Sequence, residues 1–341
     1  MHLGAVAHHA AMTYSIVALD PATGDLGIAV QSKFLAVGAV VPWARAGVGA
    51  VATQSFANVR YGPDGLALMA AGAHAQEALD RLVAGDPLRS QRQAGIVDAS
   101  GRSASHTGDE CFAWAGGQAG PGFAAQGNIL AGPAVVDGLV DTLLAGGRPF
   151  PELLVACLAA ADAAGGDRRG RESAALLIVR EGAGYGGGND RWVDLNVDHS
   201  DDPIGDLARL VELQRLYLDR PTPEELLPIT EDLARELRRL MGAIGAEPGG
   251  RFGGVFQPQW QHDGRHGPAG GTAPSAATGA DADAERPVTG TPRDLPEGWT
   301  MAWQDALGDW QGVANLEERL AAPGWVDPRV LAVLRDVAAG Q

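Results

Sequence analysis

Residues 13–198 alternate between runs of short strands and pairs of helices, an order that strongly limits the folds available to the chain. Residues 13–20 and 27–32 alternate in hydrophobicity on either side of a turn at Thr23-Gly24-Asp25, which predicts an opening β-hairpin. The period changes to that of helices over residues 62–83 and 132–164. Further strands are predicted at residues 47–54, 93–98, 103–107, 123–128, 173–179 and 192–195. This order favours an α+β fold, a four-layer αββα sandwich in which two sheets lie between two helical layers.

From about residue 199 onward the sequence shows only helical patterns. Residues 203–218 and 223–241 both carry apolar residues at amphipathic spacing. Residues 246–295 are rich in Gly, Pro, Ala, Thr and Asp and have no apolar period, which is typical of a disordered insert. The predicted organisation is therefore one sandwich domain over residues 12–198 and a small helical module formed by residues 199–245 and 296–341.

The charge and hydropathy of the chain exclude several classes of function. Its 42 acidic residues outnumber its 26 Lys and Arg and give a net charge of −16, so it does not bind nucleic acid through bulk charge. No apolar run reaches the roughly 18 residues of a membrane helix. Residues 1–11 lack a basic start and have too short an apolar core for a signal peptide. We therefore expect a cytoplasmic protein that binds neither membrane nor nucleic acid.

Thr13 combines an unusual set of properties, because it heads the first strand and directly follows Met12. If translation starts at Met12, or if the peptide before Thr13 is cut, Thr13 carries a free α-amine. Such an amine has a reference pKa of roughly 7.7–8.0 and can accept the proton of a hydroxyl near neutral pH. One residue would then supply both nucleophile and base. The alternative is that Thr13 is an ordinary β-branched residue opening an edge strand.

Other candidate residues stand at the ends of predicted strands. Ser32-Lys33 follows an apolar strand, and its ammonium could act electrostatically, although a solvated lysine is the usual case. Thr53-Gln54 closes a buried strand, and its amides are oxyanion candidates. Gly127-Asn128 lies at a strand-to-loop junction, where Asn128 could stabilise an oxyanion or bond its own backbone in a turn. No motif for a metal or another cofactor is present, so we expect none.

Several of these stretches together resemble the family of unknown function 1028, a branch assigned to the N-terminal nucleophile (Ntn) hydrolase superfamily. The resemblance covers about residues 12–198, and the C-terminal tryptophans with Asn315-Leu316-Glu317-Glu318-Arg319 resemble a helical module described as peptidoglycan-binding. The stretches that carry the family resemblance are TYSIVA from Thr13, SKFLAVG from Ser32, VPWARAGVGAVATQ from Val41, QGNILAG from Gln126 and GGDRRGRESAALL from Gly165.

The superfamily resemblance implies the αββα sandwich and the hydrolysis of amide bonds by an N-terminal Thr, here Thr13. It also implies an Asp and a Ser that hydrogen-bond the terminal amine, for which Asp167 and Ser173 are the candidates. For Asp167, which lies among arginines, the alternative is a surface salt-bridge cluster. The superfamily's lysine has two candidate counterparts, Lys33 and Arg45. The predicted catalytic residues are Thr13, Lys33, Asn128, Asp167 and Ser173, and the predicted substrate or oxyanion residues are Ser32, Arg45, Thr53, Gln54, Gly127 and Arg168.

Two hypotheses from different classes follow from these patterns. The first is an Ntn-type amidohydrolase or peptidase that cleaves a small amide, an imide or a short peptide. The second is a non-catalytic binding protein whose helical tail recognises a glycan such as peptidoglycan, or a protein partner. The tail tryptophans could stack on sugar rings, although at helical spacing such residues usually pack in a core. Because sandwiches of this kind often assemble, we expect a homo-oligomer.

Overall fold

The computed structural model describes residues 13–252 and 288–340, and the chain divides into two compact units, one up to Glu212 and one from Leu213. The described residues of the first unit form ten strands. They are β1 (Thr13–Leu19), β2 (Leu26–Ser32), β3 (Pro42–Arg45), β4 (Gly49–Ser55), β5 (Arg92–Asp98), β6 (Ser103–Thr107), β7 (Gly116–Gly120), β8 (Phe123–Asn128), β9 (Ser173–Val179) and β10 (Arg191–Val197). Its helices are α1 (Tyr61–Ala70), α2 (Ala75–Ala84), α3 (Ala134–Ala145), α4 (Phe150–Ala163) and the greater part of α5 (Pro203–Tyr217).

These strands form two antiparallel sheets. The first sheet has six strands in the order β10-β9-β2-β1-β8-β7, and the second has four in the order β3-β4-β5-β6. The predicted opening hairpin is confirmed, because β1 pairs with β2 in a register that places Thr13 opposite Ser32. On its other side β1 pairs with β8, which places Thr13 opposite Asn128. The opening strand is therefore a central strand of its sheet, flanked by hydrogen-bonded neighbours on both sides.

Side chains alternate between the two faces of each strand, so the apolar residues of this unit form three separate core layers. Tyr14, Ile16 and Ala18 point outward from the first sheet into a core shared with α3 and α4. Val17 points the opposite way, into a core between the two sheets. The outer face of the second sheet packs against α1 and α2 through residues such as Val51 and Ile96. The order of layers is thus helices, sheet, sheet, helices, which confirms the predicted α+β sandwich.

Strand β7 is not among the sequence predictions, and the reason lies in its composition. Its sequence is Gly-Gly-Gln-Ala-Gly, which has neither β-branched residues nor an apolar alternation. It forms a strand because β8 offers it a free edge, and its five residues pair with Phe123 to Gly127. Here the backbone pairing supplied by the sheet overrides a local sequence with low strand propensity.

The second unit is mainly helical. Beyond the end of α5 it contains α6 (Glu231–Ile244), α7 (Met301–Val313) and α8 (Pro328–Ala339), with a short antiparallel pair formed by β11 (Leu227–Pro228) and β12 (Trp325–Val326). Its core includes Trp299 and Trp310, which are 2% and 4% exposed. These two tryptophans therefore pack inside the unit and have no free face for stacking on a sugar.

The single helix predicted over residues 223–241 is wrong. The structure has a 3-10 turn at Pro223–Glu225, then β11, and α6 begins only after Thr230. Pro228 cannot donate a helical hydrogen bond, and the Thr230 hydroxyl accepts from the backbone N–H of Leu233, which caps the helix start. The prediction of a helix from the apolar spacing is therefore correct only for the second half of the segment.

The predicted boundary at residue 199 lies before the division of the chain at Glu212. Of the predicted disordered insert, residues 253–287 lie outside the described residues. Both flanks of that insert belong to the folded second unit. Ala246 is buried in its core, and Thr289 forms a bridge with Ala321. Among the described residues, no helix combines the length and the apolar character needed to cross a membrane.

Candidate active site

Thr13 lies at one end of the first sheet, with its side chain on the face turned toward the second sheet. Its Oγ1 is 3.1 Å from the Oγ of Ser32, its partner across the hairpin. Ser32 Oγ also accepts a hydrogen bond from the backbone N–H of Phe34, at 3.1 Å. Thr13 is 1% exposed and Ser32 is fully buried. The two hydroxyls thus form a buried polar pair at the end of the layer between the sheets.

The carbonyl oxygen of Thr13 is held by two side-chain amides. Gln54 Nε2 donates to it at 3.2 Å and Asn128 Nδ2 at 3.5 Å. The same two nitrogens also donate to Gln93 Oε1, at 2.8 and 2.9 Å. Because the amide protons of Gln54 and Asn128 already have protein acceptors, these residues fix the backbone of Thr13. They are positioning groups in this arrangement, and the oxyanion role predicted for their side chains would need a rearrangement of these bonds.

Gln93 is the centre of this network, and sequence reasoning missed it together with Ser15 and Gln126. Its Nε2 donates to the carbonyl oxygens of Gly127 and Gly116, at 2.8 and 3.2 Å. Gln126 Nε2 donates to Ser15 Oγ at 2.7 Å, and Ser15 donates in turn to Gln54 Oε1 at 2.7 Å. The bonds therefore connect strands of both sheets, and they offset part of the desolvation of the buried amides.

The alternation of inward-facing and outward-facing residues along the strands could have identified these glutamines from the sequence. Gln54 continues the series Ala50, Ala52 along β4, and Gln126 follows Ala124 along β8, so both fall on the face between the sheets. Gly95 on β5 makes room for one of them, because a Cβ there would lie 2.1 Å from Gln126 Oε1. On three strands a glutamine occupies a position in the series that otherwise carries small or apolar residues facing the other sheet. This pattern indicates a polar cluster between the sheets.

The segment from Gly165 to Glu172 crosses the ends of the strands that flank Thr13. On one side the Asp167 carboxylate accepts from the backbone N–H of Lys33 at 3.0 Å, one residue beyond Ser32. On the other side Arg168 N donates to the carbonyl of Ile129 at 3.4 Å, one residue beyond Asn128. Asp167 and Arg168 therefore bridge both neighbours of the opening strand at the level where Thr13 begins.

Asp167 is fixed from several directions. Its carboxylate also accepts from Arg169, from the backbone N–H at 2.8 Å and from Nη2 at 3.3 Å. The Asp167 side chain is 1% exposed, whereas that of Arg169 is 35% exposed. Because the carboxylate is buried and holds the strand end, it is more than a surface ion pair. The contacts do not include a bond to Thr13 itself.

The ammonium of Lys33 and the hydroxyl of Ser173 have other partners. Lys33 Nζ donates to Glu172 Oε2 at 2.6 Å and to the Arg171 carbonyl at 2.9 Å. The hydrogen bonds from Lys33 and His199 hold the pKa of Glu172 below its ordinary value. Ser173 donates to the carbonyl of Phe34 and accepts from the N–H of Val37 at 3.1 Å. Both side chains order the loop after β2 and do not contact the Thr13 hydroxyl.

The remaining predicted residues fall into different places. Arg45 lies opposite Gly49, at the other end of β4 from Gln54, and five residues of strand correspond to about 17 Å. The structure therefore does not bring Arg45 to Thr13. Thr53 Oγ1 donates to the Asn58 carbonyl at 3.1 Å and supports the loop after β4. Gly127 is a packing requirement, because a Cβ there would lie 2.4 Å from Leu130 Cδ1.

Backbone strain concentrates around the same strand ends. Three non-glycine residues with positive φ, Ala36, Ser55 and Ile129, have values of 52°, 64° and 53°. Ala36 and Ile129 lie beyond the ends of β2 and β8, and Ser55 is the last residue of β4. A left-handed backbone conformation at such residues costs of order 1–3 kcal/mol, and it is kept only where other interactions hold the backbone in place. Backbone hydrogen bonds hold two of these residues, from Ala36 N to the Asp198 carbonyl at 3.0 Å and from Ile129 N to the Phe112 carbonyl at 2.9 Å.

A separate cavity of about 410 Å³ lies between α4 and α5. Its walls are largely apolar, with Val155, Ala159, Ile204 and Val211, and Glu152 and Asp202 also line it. It is formed by the helical layer on the outer face of the first sheet, so it is distinct from the Thr13 centre. No group of three or more His, Cys, Asp or Glu that could hold a metal ion occurs in the part of the chain that the structure describes.

The fold and this polar centre define an αββα sandwich protein with a threonine at the head of a central strand. The chain belongs to the Family of unknown function (DUF1028), which matches residues 13–207. It is similar to a solved structure of a protein from Silicibacter pomeroyi assigned to the same family, with 29% identity and a TM-score of 0.55. That match covers 60% of this chain and 89% of the other. The comparison with curated proteins found no match.

Proposed function

We propose that this protein is an Ntn-type amidohydrolase that uses Thr13 as its nucleophile. The observation that carries this proposal is the position of Thr13: its hydroxyl pairs with Ser32 between the two sheets, and two amides hold its carbonyl. A hydrolase with a terminal nucleophile needs its first residue fixed in this way, because attack requires a defined approach to the carbonyl carbon. The family match also begins at Thr13, which supports a unit organised from that residue.

In the proposed reaction, Thr13 Oγ forms a bond to the carbonyl carbon of a small amide or short peptide. The hydroxyl proton passes to the α-amine of Thr13, and from there to the leaving nitrogen as the C–N bond breaks. Water then attacks the carbonyl carbon of the resulting ester. One of its protons passes through the amine to Thr13 Oγ as the bond between Oγ and that carbon breaks and the acid product leaves. Ser32 orients the hydroxyl, while Gln54, Asn128 and Asp167 keep the strand end in place.

This chemistry requires two changes at Thr13 relative to a chain that retains residues 1–12. The α-amine must be free, since an amide nitrogen in a peptide bond is not a base. The hydroxyl must also be reachable, and Thr13 is 1% exposed. The first condition is met if the residues before Thr13 are absent from the active protein. The proposal therefore predicts an active form that begins at Thr13.

Mass spectrometry of the purified native protein tests this prediction directly, because the mass of its N-terminal peptide identifies the first residue. The same protein is then treated with a β-lactone, which acylates a reactive N-terminal threonine without requiring knowledge of the substrate. We expect labelling on Thr13 in the wild type and in Thr13→Ser, and none in Thr13→Val, which keeps the side-chain shape and lacks the hydroxyl. Thr23→Val, in the exposed turn after β1, is the control. Active protein that retains Met1, or equal labelling of Thr13→Val, contradicts the proposal.

A further inference from the structure

Exposed hydrophobic side chains of the first unit collect at the Thr13 end of the sandwich. Among the described residues up to Glu212, seven large hydrophobic side chains are strongly exposed, and five of them lie on loops at this end. The other two, Leu144 and Tyr185, lie elsewhere. The five are Phe34, Leu35, Val59, Leu88 and Phe112, and we call them the apolar rim.

Each member of the rim is attached to a strand that ends at the site. Phe34 and Leu35 follow Ser32 in the chain after Lys33. The loop that contains Val59 is tied to β4 by the bond from Thr53 Oγ1 to the Asn58 carbonyl. Leu88 lies between Asp86 and Arg92, whose side chains form an ion pair at the start of β5. Exposed apolar groups that converge on one end of a domain mark a binding surface.

Phe112 is connected to β8, the strand that pairs with β1 on the side opposite β2. Its carbonyl accepts from the N–H of Ile129 at 2.9 Å, next to Asn128, the cross-strand partner of Thr13. Its ring is 50% exposed and lies 6.1 Å from the ring of Phe56, which follows Gln54 and Ser55. The two rings therefore span the gap between the end of β8 in the first sheet and the end of β4 in the second.

Arg168 places a positive charge beside this aromatic pair. Its Nη1 donates to the Ala113 carbonyl at 3.5 Å, and its backbone N donates to Ile129. Its neighbours Arg169 and Arg171 each pair with a carboxylate, Asp167 and Asp162 respectively. Arg168 is exposed and forms no ion pair with any carboxylate of the described residues. In a chain of net charge −16, a cation without a protein carboxylate is available for an anionic ligand.

We infer that the apolar rim and Arg168 bind a small amide that carries a free carboxylate beside a hydrophobic group, as in an N-acylated hydrophobic amino acid. The guanidinium donates hydrogen bonds to the carboxylate, and Phe112 with Phe34 covers the apolar part. This inference rests on the proposed function, because it names the class of molecule whose amide bond would face Thr13. An apolar surface with one matched charge gives both affinity and orientation.

Calorimetric titration of the purified full-length protein with N-hexanoyl-L-phenylalanine tests the inference, with the C-terminal amide of the same compound as the uncharged control. We expect the acid to bind at least tenfold more tightly than the amide. Arg168→Gln should lower the affinity for the acid about tenfold and leave the affinity for the amide unchanged. Arg168→Lys should give an affinity for the acid between those of the wild type and Arg168→Gln. Phe112→Ala should weaken both ligands.

Arg148→Gln is the matched control for the charge. Arg148 is also exposed, but it precedes α4, whose first turns pack on Gly27 at the opposite end of the sheet. Equal affinity for acid and amide, or equal losses in Arg148→Gln and Arg168→Gln, overturns the inference. If neither compound binds and Phe112→Ala instead lowers the mass measured by light scattering, the rim is a contact between copies of this chain and the inference is wrong.

The proposed function can fail separately from the inference. Binding of the acid with the expected dependence on Arg168, but with no release of phenylalanine by protein that begins at Thr13, supports the binding site and contradicts the hydrolase. Hydrolysis of the uncharged amide as fast as the acid, lost in Thr13→Val, supports the hydrolase and contradicts the substrate class.

Discussion

Thr13 Oγ1 and Ser32 Oγ lie 3.1 Å apart, at the ends of two strands that pair over their whole length. Ser32 is itself fixed by the N–H of Phe34, which donates to its hydroxyl oxygen. The orientation of the Thr13 hydroxyl is therefore set by a residue held at the start of the loop that carries Phe34 and Leu35. Removing the Ser32 hydroxyl should release both the Thr13 side chain and the first turn of that loop.

Ser32→Ala should lower kcat by about ten- to a hundredfold in protein that begins at Thr13, with a smaller change in KM, because loss of orientation acts on the reacting hydroxyl. Its free energy of unfolding should fall by about 1–3 kcal/mol, because the hydrogen bonds of Ser32 with Thr13 and Phe34 are lost. Steady-state kinetics and urea unfolding measure the two effects. Ser103→Ala, which removes a hydroxyl bonded to the Gly120 carbonyl at the far end of the sandwich, should change stability alone. Equal kinetic effects of the two variants contradict the assigned role of Ser32.

Two buried glutamines allow a direct comparison of paired and unpaired amides. Gln93 bonds to Gln54, Asn128 and the Gly127 carbonyl. Gln31 is equally buried, but neither of its amide atoms has a hydrogen-bond partner among the residues that the structure describes. Gln93→Met should cost about 2–4 kcal/mol, because it removes the acceptor that the buried amides of Gln54 and Asn128 share and the donor to the Gly127 carbonyl. Gln31→Met, a change of similar shape, should be neutral or stabilising because no bond is lost. Chemical unfolding of both variants decides the matter, and equal destabilisation would show that the bonds of Gln93 contribute nothing.

The layered fold was predictable from the sequence because its elements are set by local alternation and by the lengths of apolar segments. The hairpin at Thr13, the buried strands β4 and β9 and the helices α3 and α4 all carry strong periodic signals. Strand β7 was not predictable, since Gly116–Gly120 becomes a strand only because β8 presents an unpaired edge. The extent of α6 was also missed, because Pro228 and the Thr230 cap outweigh an amphipathic spacing that extends beyond them.

The site was predictable in part, for a different reason. Thr13, Ser32, Gln54 and Asn128 stand at strand ends, and antiparallel pairing brings such ends together. The partners of Lys33 and Ser173 depend on how the loop from Gly165 to Glu172 crosses the strand ends, which no local pattern specifies. Gln93 belongs to a strand that is distant in sequence, so its place at the centre of the network follows from the packing of one sheet on the other.

Acid should weaken the loop that carries Leu88 through the carboxylate of Asp86. Burial opposes ionisation of Asp86, but hydrogen bonds from Arg92, Asn58 and the Leu88 backbone outweigh it and hold the pKa of this carboxyl well below its ordinary value. A depressed pKa in the folded state means that the unfolded chain binds the proton more readily. The stabilisation is therefore fully present above the unfolded value of about 3.9 and is lost as pH falls below it.

Asp86→Asn should lower the free energy of unfolding by about 2 kcal/mol at pH 7, and the difference from wild type should shrink as the pH is lowered from 4 to 3. Urea unfolding at pH 7, 5, 4 and 3 measures this difference. Asp64→Asn is the control, because Asp64 pairs with Arg60 on the exposed surface of α1, where such pairs contribute little. A difference between Asp86→Asn and wild type that stays constant down to pH 3 would contradict the role assigned to the ionised Asp86.

Replacement by glycine should have opposite effects on stability at two nearby alanines after β2, because only one of them has a strained backbone. Ala36 has a positive φ of 52°, where its Cβ costs roughly 1–2 kcal/mol, whereas Ala39 lies in the short 3-10 turn Val37–Ala39 without a positive φ. Ala36→Gly removes the Cβ strain, offset in part by the greater freedom of glycine in the unfolded chain, and should stabilise by about 0.5 kcal/mol. Ala39→Gly only adds that freedom and should destabilise by about 0.5–1 kcal/mol.

The same pair of variants separates strain from function, because the loop that ends at Ala36 carries Phe34 and Leu35 of the apolar rim. If the left-handed turn at Ala36 holds these side chains toward the site, Ala36→Gly should raise the KM for an acylated amino acid several-fold while it raises the melting temperature. Ala39→Gly should lower the melting temperature and leave KM unchanged. Thermal unfolding and steady-state kinetics on the two proteins provide both measurements. A loss of stability in Ala36→Gly as large as that in Ala39→Gly would show that the conformation at residue 36 is not strained.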